Sequence, residues 1–198
     1  MGTITALTTQ RRNPNRVSVF LDGEFAFGLA AITAVPLRIG QELTADKMQQ
    51  LQEADELENA KESAIRFVEV RPRSIAEVRT RLRQKGFAET AVDHACERLQ
   101  AVGLLDDLIF AQYWVEQRET FKPRSQMALR QELQQKGVSR EIIDSVLTEV
   151  DDTAVARAAA LKQAPRWQHL PEEEFKLKLN GHLQRRGFLT QLQKNSGR

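Results

Sequence analysis

Three copies of one short pattern, about fifty residues apart, constrain this chain more than anything else in it. They read Val78-x3-Leu82-x2-Lys85-Gly86-Phe87, Leu129-x3-Leu133-x2-Lys136-Gly137-Val138 and Leu179-x3-Leu183-x2-Arg186-Gly187-Phe188. A fixed period of this kind marks a repeated structural unit. The pattern describes a helix end. A glycine just past the last turn adopts the left-handed conformation at low cost, and the apolar residue after it folds back onto the leucine four before the glycine. Lys85, Lys136 and Arg186 then sit at the negative end of the helix dipole. Gly86, Gly137 and Gly187 are therefore structural stops.

Two of the starts agree. Ser74 and Ser125 lie twelve residues before Gly86 and Gly137 and are good N-caps. Ser74 has Glu77 three residues on, which makes a capping box. The third copy has Phe175 at that place, so its helix is expected to begin at Pro171 with the acidic run Glu172 to Glu174. Downstream, Asp106-Asp107-x2-Phe110-Ala111 is echoed by Asp151-Asp152-x2-Val155-Ala156, and both aspartate pairs read as caps of third helices. The pattern predicts helices near 75–85, 89–102, 107–119, 126–136, 140–150, 152–163 and 172–186.

The first thirty residues differ. Arg16 to Leu21 meets Glu24 to Leu29 across Asp22-Gly23, a strong hairpin signal, and Thr3 to Thr9 is β-branched. A small three-stranded antiparallel sheet is expected, then a short helix from Ala30 to Val35. One long helix from about Thr44 joins the sheet to the repeats. The expected fold is mainly α, with tandem three-helix repeats in an elongated curved array behind a small N-terminal sheet. The expected divisions are 1–43, 44–70, 71–121, 122–165 and a truncated third repeat over 166–198.

The chemistry is thin. The three histidines and single cysteine, Cys96, have no metal-ligand spacing, and neither a phosphate-binding glycine loop nor a nucleophile elbow is present. The aspartate pairs could hold a metal, but caps explain them better. Neither an enzyme nor a cofactor is expected. Trp114, Phe110, Tyr113 and Trp167 read as core rather than base-stacking platforms, Cys96 as packing and His94 as surface. The lone cysteine fits a reducing compartment. No signal segment precedes the sheet, Ala6 spoils a myristoylation site, and no stretch is long and apolar enough for a bilayer. A soluble cytoplasmic protein is expected.

Charge totals decide little, with 29 bases against 27 acids. Their distribution says more. Residues 41–62 carry seven acidic and two basic side chains, whereas residues 71–85 carry six basic and one acidic. Residues 183–198 carry four bases and no acid. Such polarity suggests a charged partner. The candidate binding residues are Arg71, Arg73, Arg79, Arg81, Arg83 and Lys85, then Arg118, Lys122, Arg124, Arg130 and Lys136, then Arg185 and Arg186. Arg79 and Arg83 flank the apolar stripe of their helix on one side, Arg81 and Lys85 on the other.

The wording of the motifs goes further than the physics. Arg71-x-Arg73-Ser74, Leu82-x2-Lys85-Gly86-Phe87 and Gly103-Leu104-Leu105-Asp106-Asp107-x2-Phe110-Ala111 resemble the first repeat of the RecX family, and Lys122-Pro123-Arg124 with Leu133-x2-Lys136-Gly137-Val138 resembles the second. The N-terminal sheet resembles an extension that some members carry, while Ser125 stands where glycine would be more usual. The resemblance implies a non-enzymatic regulator, most often an inhibitor, of the RecA recombinase in DNA repair and the SOS response. Its partners would be the RecA filament, single-stranded DNA and, weakly, duplex DNA, and it would act as a monomer. A sequence-specific helix-turn-helix regulator is the competing reading, which the threefold repetition disfavours.

Overall fold

The computed structural model describes residues 1–188. The order is β1 (Gly2–Gln10), β2 (Asn13–Leu21), β3 (Glu24–Ala30), α1 (Ala31–Ala34), β4 (Glu42–Leu43), α2 (Ala45–Val68), α3 (Ile75–Gln84), α4 (Glu89–Ala101), α5 (Asp107–Phe121), α6 (Gln126–Gln135), α7 (Arg140–Leu147), α8 (Asp152–Gln163) and α9 (Glu172–Gln184). A 3-10 turn at Ala164–Arg166 follows α8. The predicted helices are present, within a few residues at their ends. The described residues form two compact units, one of residues 1–71 and 78–104, the other of residues 72–77 and 105–188.

In the first unit the sheet has four strands, in the order β3-β2-β1-β4, rather than the three expected. The extra strand is two residues long, pairing Leu43 and Glu42 with Gly2 and Thr3, too short to show alternation in the sequence. The hairpin turn is as read. Asp22 and Gly23 both have positive φ, 51° and 91°, which matches the twist of the flanking strands. Ile4, Val19, Leu29, Ala34, Leu37, Leu43 and Leu51 form the core beneath the sheet. Thr44 caps α2 by accepting the Lys47 N–H.

One buried carboxylate holds that arrangement. Asp55, one-tenth exposed, lies on α2 and accepts the N–H of Ala30 at 2.5 Å, an Arg16 N–H at 2.9 Å and the Asn59 side-chain amide at 2.8 Å. Arg16 also donates to the Gly28 carbonyl at 3.0 Å. Strand β2, the end of β3 and α2 are thus tied to one side chain.

In the second unit α5, α6 and α7 share a core of Phe110, Ala111, Val115, Leu129, Leu133, Val138, Ile143, Leu147 and Val150. Ala159, Leu183 and Phe188 pack with Val155 and Leu179 where α8 meets α9. The three glycine stops close identically. Phe87 N–H reaches Leu82 O, Val138 N–H reaches Leu133 O and Phe188 N–H reaches Leu183 O, at 3.3, 3.1 and 3.1 Å, and in each the glycine N–H bonds the next carbonyl but none further back. Gly103 ends α4 in the same way, with Leu104 N–H on Leu99 O at 2.9 Å. The basic tail expected beyond residue 188 lies outside the described residues.

Candidate functional site

The second unit has two related joints, and in each a glycine stop abuts the start of another helix in the repeat. In the first joint Ser74 is fully buried; its hydroxyl donates to Lys136 O at 2.7 Å and accepts the Glu77 N–H at 3.1 Å. Lys136 Nζ lies 2.7 Å from Glu77 Oε1. In the second joint Ser125, also buried, accepts the Ala128 N–H at 3.2 Å and donates its own N–H to Arg186 O at 2.9 Å. The Arg124 guanidinium donates to Arg185 O at 2.6 Å. The stops are tight. A Cβ on Gly137 would lie 2.5 Å from that of Ala76, and one on Gly187 would collide with the Ser125 hydroxyl.

The aspartate pairs divide their labour, which corrects the expectation that both members cap their own helix. Asp106 accepts the Leu108 and Ile109 N–H groups, and Asp151 accepts those of Thr153 and Ala154. Asp107 instead accepts the Ile75 N–H at 2.9 Å, and Asp152 the Gln126 N–H at 2.7 Å. Each second aspartate therefore secures the first turn of the helix that enters the joint. Burial pushes the Asp107 carboxyl above its usual value; the Ile75 N–H opposes the shift and Asp106 adds to it. Among the described residues no cluster of three or more His, Cys, Asp or Glu is placed to hold a metal ion.

The candidate cations fall into distinct environments. Arg79 pairs with Glu89 and Asp93, and Arg83 Nε donates to Glu89 at 2.8 Å. That bond to Arg83 holds the Glu89 carboxyl below its ordinary range. Lys85 donates to Ser63 Oγ at 2.6 Å, and Arg130 pairs with Asp144. Arg118 Nε meets Glu132 at 2.7 Å, and its guanidinium stacks 4.6 Å from the Trp114 ring centre. Lys136 Nζ lies 5.2 Å from the same ring. Arg71 and Arg73 are half-buried. Arg81, Lys122 and Arg185 are exposed and carry no ion pair among the described residues.

Arg186 stands apart. Its Nε is buried and has no hydrogen-bond partner among the described residues. Burial first, and then the charges of Arg124 and Arg185, press its guanidinium below its usual value. Burial, followed by the charges of Arg186 and Arg185, likewise lowers the imidazole of buried His182, whose ring meets Trp167 edge-on.

Glu132 is the functional-looking residue that sequence reasoning missed. It accepts the Trp114 indole N–H at 2.8 Å and the Arg118 bond, and lies 3.5 Å from Arg124. Trp114 is accordingly half-buried with a polar handle rather than a plain core anchor. The available signal was the four-residue spacing of Trp114 and Arg118, which puts both on one helix face.

Comparison with known proteins places this geometry. Three family models match in chain order: the regulatory protein RecX N-terminal domain over residues 2–44, the first RecX three-helix domain over 60–99 and the second over 106–147. The regulatory protein RecX of Bacillus licheniformis is 30% identical over 193 residues, covering 95% of this chain and 73% of that one. The chain belongs to the RecX family. The RecX of Prosthecochloris aestuarii is 38% identical over 128 residues, 65% of this chain and 84% of its own. A crystal structure of regulatory protein RecX superposes with a TM-score of 0.72 at 24% identity over 94% of each chain, a likeness of fold. The matched RecX three-helix domains span the end of α2 with α3 and α4, and α5 with α6 and α7. The α5–α7 core follows that grouping. RecX relatives are described as regulatory proteins, and no described helix here is long and apolar enough to cross a membrane.

Proposed function

We propose that this protein regulates the RecA recombinase by binding the RecA filament on single-stranded DNA and suppressing its ATP hydrolysis and strand exchange, without catalysis of its own. Three RecX family models matched in order along the chain carry this reading. Tandem domains suit a repeating target, since weak contacts at several subunits combine through effective concentration. Arg79 and Arg83, first choices from the sequence, already face Glu89. The exposed Arg81 and Lys122 are the cations best placed to meet an acidic partner in trans.

The test is RecA-catalysed ATP hydrolysis on single-stranded DNA, followed as purified protein is titrated into preformed filaments. A fall at or below stoichiometric protein is expected, and Arg81→Glu with Lys122→Glu should need several-fold more protein for the same fall. Unchanged hydrolysis at large excess, with selective binding to one duplex sequence, would overturn the proposal in favour of a helix-turn-helix regulator.

A further inference from the structure

The two joints of the second unit match in sequence position, and each bonds a serine residue to a main-chain carbonyl, but they are charged differently. Counting from the glycine, Lys136 corresponds to Arg186 and Gln135 to Arg185. Counting from the serine, Arg73 corresponds to Arg124 and Glu77 to Ala128. In the first joint Glu77 neutralises Lys136 at 2.7 Å. In the second joint that carboxylate is missing. Ala128 stands at the corresponding position in the count, with its Cβ 3.2 Å from where a Cβ on Gly187 would lie, so it faces the turn. A neutral glutamine has meanwhile become a third arginine. Arg124, Arg185 and Arg186 thus converge on one turn with no acid at the position that serves Lys136. Glu132, the acid paired with Arg124, lies 3.5 Å from it and is shared with Arg118.

Two costs follow. A buried guanidinium N–H without an acceptor loses its hydration for nothing, and clustered like charges repel. An oxyanion from outside the chain relieves the second, since it can meet the exposed Arg185 and balance the charges beside it. A single carboxylate would balance only one of the three charges. Closely spaced phosphates offer several charges, with oxygens that suit guanidinium forks. We infer that Arg124, Arg185 and Arg186 form a site for the phosphodiester backbone of single-stranded nucleic acid. This deepens the proposed function by assigning these three arginines to the strand rather than to the recombinase, and rests on that reading only for the presence of a strand.

The decisive variant restores the missing acid. Full-length protein, Ala128→Glu, Ala128→Gln and Arg185→Gln are compared by fluorescence anisotropy with a labelled oligothymidylate across a salt series. Ala128→Glu should satisfy Arg186 internally, weaken binding roughly tenfold and flatten the salt slope by about 0.7 for each phosphate no longer neutralised. Its thermal midpoint should hold or rise. Ala128→Gln, of equal size and no charge, should keep most of the affinity. Arg185 is exposed, so Arg185→Gln reports on the site even if the glutamate variant fails to fold, and should also flatten the slope. Wild-type affinity and slope in Ala128→Glu, or in Arg185→Gln if the first does not fold, would overturn the inference. So would a loss confined to a polyglutamate probe, which would assign the turn to an acidic protein. Hydrolysis assays run in parallel keep the two failures apart. A protein that leaves RecA turnover untouched but binds oligothymidylate through these arginines sinks the proposed function alone.

Discussion

Asp55→Ala is the most informative single truncation in the first unit. The carboxylate holds the Ala30 N–H at 2.5 Å, Arg16 at 2.9 Å and Asn59 at 2.8 Å. Ala30 is 2% exposed, so its amide would be left buried without an acceptor, at a cost of about 1–3 kcal/mol. The ion pair adds to this. Removing one partner of a fully buried pair costs about 3–5 kcal/mol, an upper bound here because the Arg16 side chain is 23% exposed and keeps the Gly28 carbonyl. A loss of about 3 kcal/mol is expected, read as a lower midpoint in urea unfolding. Asp55→Asn retains an oxygen for Ala30 but not the charge, and should lose about half as much. Hydrogen exchange provides the local readout, since the Ala30 amide should lose protection in the alanine variant and keep it in the asparagine variant. A loss below about 1 kcal/mol, or equal losses in the two variants, would refute the idea that the bond to Ala30 dominates.

Other perturbations probe the repeat. Gly86→Ala meets open space and should cost about 1–2 kcal/mol through its left-handed φ alone, whereas Gly137→Ala adds a collision with Ala76 and should cost clearly more; equal losses in denaturant midpoint would remove the close-packed joint. Asp107→Ala should lose about 1–2 kcal/mol by orphaning the Ile75 N–H, while Asp107→Asn, free of the burial and Asp106 effects that raise its carboxyl, should be near neutral by thermal melting. Burial raises the Cys96 thiol, so less of it is thiolate at neutral pH than in free cysteine, and alkylation should be slow until the unit opens; rapid labelling of native protein would contradict this. His182 is lowered from 6.5, so its contribution to stability is present above that value and lost as pH falls through the depressed one; His182→Asn should flatten that part of the pH–stability curve.

How far the sequence was legible depended on range. The helix stops could be read because each is a local device: a glycine, a base and a leucine four residues back dictate the geometry among themselves. The Asp22-Gly23 turn was legible for the same reason. What escaped was the choice of partners distant along the chain. Asp55 looks like any acid on an acidic helix until Arg16 and Ala30 arrive beside it. Asp107 and Asp152 look like doubled caps until the helices they serve pack nearby. Arg79 and Arg83 were visible as a dense basic face, but their pairing with Glu89 depends on how α4 returns. The contrast between Glu77 and Ala128 was present in the sequence throughout, and acquired meaning once the two joints were seen to correspond.

The joints also bear on how such a chain tolerates change. In both, the bond from the serine residue ends on a main-chain carbonyl, carried by a lysine in one case and an arginine in the other. What the fold demands there is an oxygen at a point in space, and almost any residue can furnish it. The side chain of the residue that supplies this oxygen is released from that one duty and becomes available for recruitment to another task. A protein can then keep its fold at 24% identity to a solved relative while its surface charges are rewritten one joint at a time.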